Sequence, residues 1–193
     1  DWKDVNLSKE SQGVKPHLKT DSVQYNVIQT LVQQDYDIVY DDDNAGEIAD
    51  VITLKLVENE IHVELYHLKF AHEGKITSQI VNFYEVCGQA QKSANWKYKE
   101  PEEMLNHLLR REVKKNNNGD ECSRVYKGTH DKLVELMKLA KRKLPVKYSV
   151  YIVQPGVSKD TASDEILSLL GVTESFLKDC TGIELKVIVN KRD

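Results

Sequence analysis

Apolar residues first recur at helical spacing at Val23, Val27, Ile28 and Leu31, in a stretch that Thr20 or Asp21 is placed to cap and that predicts a helix to about Gln34. The pattern then shortens. Residues 36–40 are a β-type run, residues 41–46 read DDDNAG, a turn composition, and residues 48–57 are aliphatic on both faces, as a central strand is. Glu58 and Asn59 form a two-residue turn before residues 61–70, a third strand with loose alternation. The helical period returns over residues 80–95, with Gly88 read as allowing close packing, and Pro101 opens a second such helix over residues 102–113. From Lys114 the string KKNNNGDE predicts a loop, and an amphipathic helix follows over residues 129–144, stopped by Pro145. Residues 147–153 are β-branched and aromatic, Pro155 and Gly156 predict a turn, Gly171 separates short helices at residues 163–170 and 173–180, and residues 183–189 make a closing strand.

The predicted order is therefore helix, three strands, helix, a helical insertion at about residues 100–145, strand, helices, strand. That is an α/β chain. Residues 1–19 are polar and aperiodic and read as a leader or linker, leaving residues 20–193 as one domain with an insertion. With 40% hydrophobic and 30% charged residues the chain has enough apolar surface for a core, which excludes disordered and fibrous classes. Purely apolar runs stay far below the ~20 residues of a membrane helix. The start at Asp1, with neither Met nor an apolar leader, predicts a piece of a larger intracellular, cytoplasmic protein. Cys87, Cys122 and Cys180 are odd in number and lack paired spacing, so they read as free thiols.

Net charge is only −4, but it is segregated. Residues 35–54 hold seven acids and no base, whereas residues 110–147 hold twelve bases and five acids. Carboxylates hold cations and Lys or Arg hold phosphates, so the two poles suit a metal-dependent enzyme acting on a polyanion; two solvated faces are the plainer reading. The basic side supplies Arg110, Arg111, Lys114, Lys115, Lys141, Arg142 and Lys143 as expected phosphate contacts, and Lys92 joins them from the preceding helix.

Closing the hairpin at Glu58 and Asn59 makes every facing pair sum to 117, which sets Asp50 opposite His67. Period-two alternation puts Lys69 on the face of His67, one diagonal step from Asp50, with Glu64, Tyr66 and Leu68 on the other face. Polar groups at the end of an aliphatic hairpin need a partner, either a metal, a substrate or an ion pair of their own. On the next helix Gln89, Lys92, Ser93 and Trp96 fall on one stripe, fit either for the site and the phosphate backbone or for packing and capping. Histidines elsewhere lack metal-ligand spacing, and no nucleophile elbow or glycine-rich phosphate loop is present.

A helix, a hairpin with an acid entering its second strand, and a (D/E)-x-K position on the third resemble the PD-(D/E)XK, or restriction-endonuclease-like, nuclease superfamily. The strings DDDNAGEIAD, ELYHLKF, FYEVCGQAQKS and IVQPGVSK are similar to nuclease-like domains attached to bacterial superfamily II helicases and phage-defence proteins, over about residues 20–190. The resemblance implies a mixed sheet with an α-β-β-β-α-β core plus one further strand, and a deoxyribonuclease dependent on Mg²⁺ or Mn²⁺. It implies DNA, or RNA, as partner, a helicase module beside the domain, and no membrane. By the same resemblance Asp50 binds the metal, Lys69 positions or activates the attacking water, and Gln89 or Gln91 assists from the helix. His67 stands where the family has a carboxylate; it serves as a metal ligand or as a hydrogen-bond donor that never touches the metal, with Glu47 or one of Asp41 to Asp43 supplying the carboxylate. Gln89 is followed by Ser93 rather than by the Tyr of the RecB-type Q-x-x-x-Y. The rival expectation is a catalytically lapsed module that binds nucleic acid or a protein partner.

Overall fold

A computed structural model describes residues 2–77, 79–117 and 123–191, with the side chains of residues 82, 115–117 and 161 outside the description. Helix α1 (Val23–Val32) presents Val23, Val27, Ile28 and Leu31 to the sheet, as its spacing predicts. Its cap is Ser22 rather than Thr20 or Asp21: the Ser22 hydroxyl accepts the Tyr25 N–H at 3.2 Å. Strands β1 (Ile38–Asp41), β2 (Val51–Val57) and β3 (Glu60–Leu68) form an antiparallel meander whose hairpin pairs Val57 with Glu60 and Val51 with Tyr66, the expected register.

Helices α2 (Val81–Ser93), α3 (Pro101–Asn117) and α4 (His130–Lys141), with the short strand β4 (Val125–Lys127) between the last two, lead into β5 (Val146–Ser158). Helix α5 (Asp164–Ser175) and β6 (Glu184–Asn190) complete the order. Among the described residues the chain is thus mixed α/β, with five α-helices and one six-stranded sheet in the order β4-β1-β2-β3-β5-β6. β5 runs parallel to β3 and to β6, whereas the pairs on the β4 side are antiparallel. β2 and β3 lie at the centre, which explains why β2 is aliphatic on both faces. One face packs on α1 through Val39, Val51, Tyr66 and Val153, and the other on α2 to α5 through Ile52, Leu54, Leu65 and Ile152. No helix of the described residues is long and apolar enough to cross a membrane.

Several local expectations are corrected. Pro155 and Gly156 lie inside β5 rather than in a turn: the register against β6 shifts between Gln154 and Ser158, and the Gln154 side chain accepts the Gly156 N–H at 2.8 Å and donates to the Phe70 carbonyl at 3.2 Å. Glycine is needed there because a Cβ would sit 2.7 Å from that of Ala71. Gly171 lies within α5 instead of splitting it, and Gly88 is exposed with open space where its side chain would be, so neither is a packing glycine. The helix read as ending at Val113 continues to Asn117, taking in the start of the predicted loop. Of residues 1–19, read as a leader or linker, the described residues 2–19 lie against the body: Gln12 is buried, its backbone N–H donating to Gln24 and its side-chain amide to Asp41. Cys87 and Cys180 are free, as expected, and Cys122 lies outside the described residues.

Candidate metal centre

Between β1 and β2 the chain makes a loop in which Asn44 at φ 93 and Gly46 at φ 88 adopt left-handed backbone. This folds the acids back on one another. Asp43, Glu47 and Asp50 each bring one carboxylate oxygen within 4.8 Å of the other two. Like charges repel, so the rest of the fold must hold the loop. Arg111 from α3 donates to the carbonyls of Asp42 at 2.6 Å and Ala45 at 2.9 Å, and its Nε forms an ion pair with the buried Asp42 carboxylate. The Arg124 guanidinium takes the carbonyls of Asp41 and Asp43, each at 3.0 Å, and His107 bonds the Gly46 carbonyl at 3.0 Å. From the N-terminal segment the Ser11 hydroxyl donates to the Asp43 carboxylate at 2.5 Å.

Asp50, only 7% exposed, ends the hairpin ladder: its Oδ2 accepts the Leu68 N–H at 2.8 Å, doing for that donor what a backbone carbonyl does further down the strand. Burial, followed by the charges of Glu47, Glu10 and Asp43, raises its pKa well above the ordinary carboxylate value, and the Leu68 bond only partly opposes this. Glu47 is raised for the same two reasons, burial and then Asp43. Burial lifts Asp42 to about 7, although the Ile48 N–H and Arg111 both favour its ionised form. Three converging carboxylates, whose mutual repulsion Ser11, the Leu68 N–H and Arg111 offset only in part, could hold a hard divalent cation that neutralises the charge the loop concentrates.

Lys69, at the end of β3, forms ion pairs with Glu85 of α2 at 3.0 Å and Glu10 at 3.3 Å, and Glu10 also accepts the Phe70 N–H at 2.9 Å. Burial disfavours the ammonium, but Glu85 and Glu10 outweigh it and hold the Lys69 pKa above its usual value. Lys69 therefore stays protonated and is a cation, not a base. Glu10 joins the two halves of the site, since it touches Lys69 and its charge bears on Asp50.

His67 lies apart from the acidic triad. It is 3% exposed, its Nε2 is 2.9 Å from the Ser93 hydroxyl, and burial alone pushes its pKa down to about 3. Of the metal ligands expected from sequence, Asp50 and Glu47 come together, joined by Asp43, while His67 turns toward α2. Glu85, Gln89 and Ser93 are spaced by four along α2, a stripe whose ends meet Lys69 and His67. Gln89 lies between them, and its Oε1 is buried with no hydrogen-bond partner among the described residues. Gln91 instead bonds Thr173 of α5. Glu64 is on the opposite face, as alternation requires, accepting hydrogen bonds from Tyr36 and Tyr66 at 2.6 Å and Tyr151 at 3.1 Å.

The basic residues divide. Lys92, Arg110, Lys114, Lys141 and Arg142 are exposed, and Lys143 is exposed but paired with Glu100 at 2.5 Å. Arg111, expected on phosphate, points inward to clamp the acidic loop. The Lys115 side chain lies outside the described residues. Sequence reasoning missed Glu10, Ser11 and Gln12, which carry no periodicity, and Glu85, Arg124 and the clamping roles of His107 and Arg111. The available signal was the i, i+4 spacing of Glu85 on Gln89 and of His107 on Arg111. No known protein family, curated protein or solved structure matches the chain.

Proposed function

We propose that the chain is a metal-dependent nuclease domain of the restriction-endonuclease-like kind, hydrolysing phosphodiester bonds of DNA as a module of a larger helicase or phage-defence protein. The observation that carries this reading is the convergence of Asp43, Glu47 and Asp50 at the mouth of β2, coupled through the charge of Glu10 on Asp50 to Lys69 at the end of the paired strand β3. The order α1, β1 to β3, α2 and a parallel β5, with β6 as the further strand, supports the fold part of the proposal.

Asp43, Glu47 and Asp50 are the residues that would hold Mg²⁺ or Mn²⁺, since both ions take carboxylate oxygens. Such an ion, when bound, supplies Lewis acidity toward a phosphodiester oxygen and lowers the pKa of water. The chain's own residues do the rest. The Leu68 N–H fixes the Asp50 carboxylate in one orientation, and Arg111, Arg124 and His107 hold the loop so that its donors need little rearrangement. Lys69, protonated between Glu10 and Glu85, offers positive charge to the anion that develops on phosphate during hydrolysis. The unpartnered Gln89 amide oxygen is free to accept a hydrogen bond from an attacking water.

Two observations favour a second reading, a lapsed nuclease fold that binds nucleic acid. Lys69 is shared between two glutamates, and His67 occupies the carboxylate slot while bonded to Ser93. Incubating supercoiled plasmid, linear duplex and single strands with Mg²⁺, Mn²⁺ or EDTA separates the two. The nuclease reading expects cleavage that needs metal and is lost in Asp50→Ala and Lys69→Ala. Binding without cleavage under every metal condition, or equal cleavage by mutant and parent, would sink it.

A further inference from the structure

Beside the acidic loop lies a groove of about 700 Å³ lined by Trp96, Lys99, Glu103, Asn106, His107 and Arg110. Its wall is one stripe of α3, because residues 103, 106, 107 and 110 are three or four apart. The facing wall is the turn after α2, which presents the indole of Trp96. The His107 ring stands 5.4 Å from that indole at 50°, and the Lys99 ammonium lies 3.9 Å over it. His107 also bonds the carbonyl of Gly46, next in sequence to Glu47, so this wall of the groove reaches the edge of the metal centre. Arg110 is exposed and has no ion-pair partner among the described residues, while its neighbour Arg111 is turned into the loop.

An aromatic face flanked by two cations, a short step from a phosphate-cleaving centre, matches the chemistry of one nucleotide: a flat base and an anionic backbone. Paired bases keep their faces inside the duplex stack, so only an unpaired base reaches an indole. We propose that this groove holds one unpaired nucleotide of the strand entering the acidic centre, its base on Trp96 and its phosphate on Arg110 and Lys99. The substrate is then single-stranded or locally opened. The inference rests on the nuclease reading for the strand's destination but not for its binding. An exposed cation–π contact is weaker than a base–aromatic stack, so Lys99 leaves the indole for the phosphate when a base arrives. Burial, and then the surrounding cations, lower the His107 pKa despite its bond to Gly46, so the imidazole beside Trp96 is neutral.

The test uses the whole chain carrying Trp2→Phe, which leaves Trp96 as the only tryptophan. In EDTA, a short oligothymidylate should quench Trp96 fluorescence on binding, and the same sequence as duplex should not. Trp96→Ala should weaken single-strand affinity between about fivefold and a hundredfold, the range for loss of one stacked base. Because Trp96 also packs on the core, Trp96→Phe provides the control and should retain most of the affinity. Arg110→Ala and Lys99→Ala, both exposed, should each reduce the log-log salt slope by about 0.7. Binding without quenching, equal quenching by duplex or by polyglutamate, or unchanged affinity in Arg110→Ala would overturn the proposal. Restoring Mg²⁺ or Mn²⁺ then separates the two ideas. Quenching by a strand that is never cut keeps the groove and removes the nuclease reading, whereas cleavage indifferent to Trp96 and Arg110 keeps the nuclease and removes the groove.

Discussion

His67 gives a prediction whose size follows from its surroundings. Its imidazole is 3% exposed, has Ser93 as its hydrogen-bond partner, and is driven by burial to a pKa of about 3. In the unfolded chain the ordinary value of ~6.5 applies, so below that pH the unfolded state takes up a proton that the folded state refuses. The sign follows: a depressed histidine costs stability as pH falls, starting near 6.5. At pH 5 the difference between the two pKa values is worth about 2 kcal/mol relative to pH 8, and it grows by about 1.4 kcal/mol per further unit until the folded group titrates. Urea unfolding of the parent and of His67→Leu at pH 8, 6.5 and 5 reads it, with Ser93 in the variant still donating to the Ala90 carbonyl at 2.8 Å. Asp42 and Asp50, whose pKa values are raised, push the other way in both proteins, so the informative quantity is the difference between the two pH profiles. The parent should lose about 2 kcal/mol more than the variant between pH 8 and 5. Parallel profiles, or an NMR titration of His67 near 6.5, would refute the reasoning. The functional corollary is that His67 stays neutral at working pH, so any loss of divalent-ion affinity on mild acidification comes from the carboxylates.

Asp50→Asn keeps an acceptor for the Leu68 N–H while removing a charge that burial and three neighbours oppose; it should raise metal-free stability by roughly 1 kcal/mol and abolish the stabilisation by Mn²⁺, both read by thermal unfolding with and without the ion. Arg111→Ala strips the Asp42 carboxylate and the loop carbonyls of their shared partner and should cost about 3 kcal/mol or more in denaturant unfolding; Arg111→Lys should recover little, because one ammonium does not reproduce the fork. Gly171→Ala places a methyl in open space within α5 and should stabilise the chain by about 0.5 to 1 kcal/mol, whereas Gly156→Ala, with its Cβ 2.7 Å from that of Ala71, should destabilise it by about 1 to 3 kcal/mol in the same assay.

What the sequence determined by itself was whatever local period and turn chemistry can express. The spacing of Val23, Val27, Ile28 and Leu31 specified α1 and its buried face, and the two-residue turn at Glu58 and Asn59 specified the register of β2 against β3. That register by itself set Asp50 opposite His67 and Lys69 one diagonal step away, at one end of the hairpin. The rest needed tertiary structure because its determinants are long-range. Pro155 and Gly156 have turn composition, but in the fold they fall in the bulge of β5 where the ladders to β3 and β6 are interrupted, and long-range bonds hold them there: the Gly156 carbonyl accepts the Thr77 N–H, and the Gln154 side chain bridges the Gly156 N–H and the Phe70 carbonyl. β4 has only three residues, too few for a period, and exists because the β1 edge offers it hydrogen bonds. Arg111 and Arg110 look alike in sequence, and only the placement of α3 beside the acidic loop sends one inward and leaves the other to the groove. Glu10 carries no local signal at all; it reaches Lys69 because the N-terminal segment is laid against α1 and the end of β3, bringing together residues 59 positions apart in the chain.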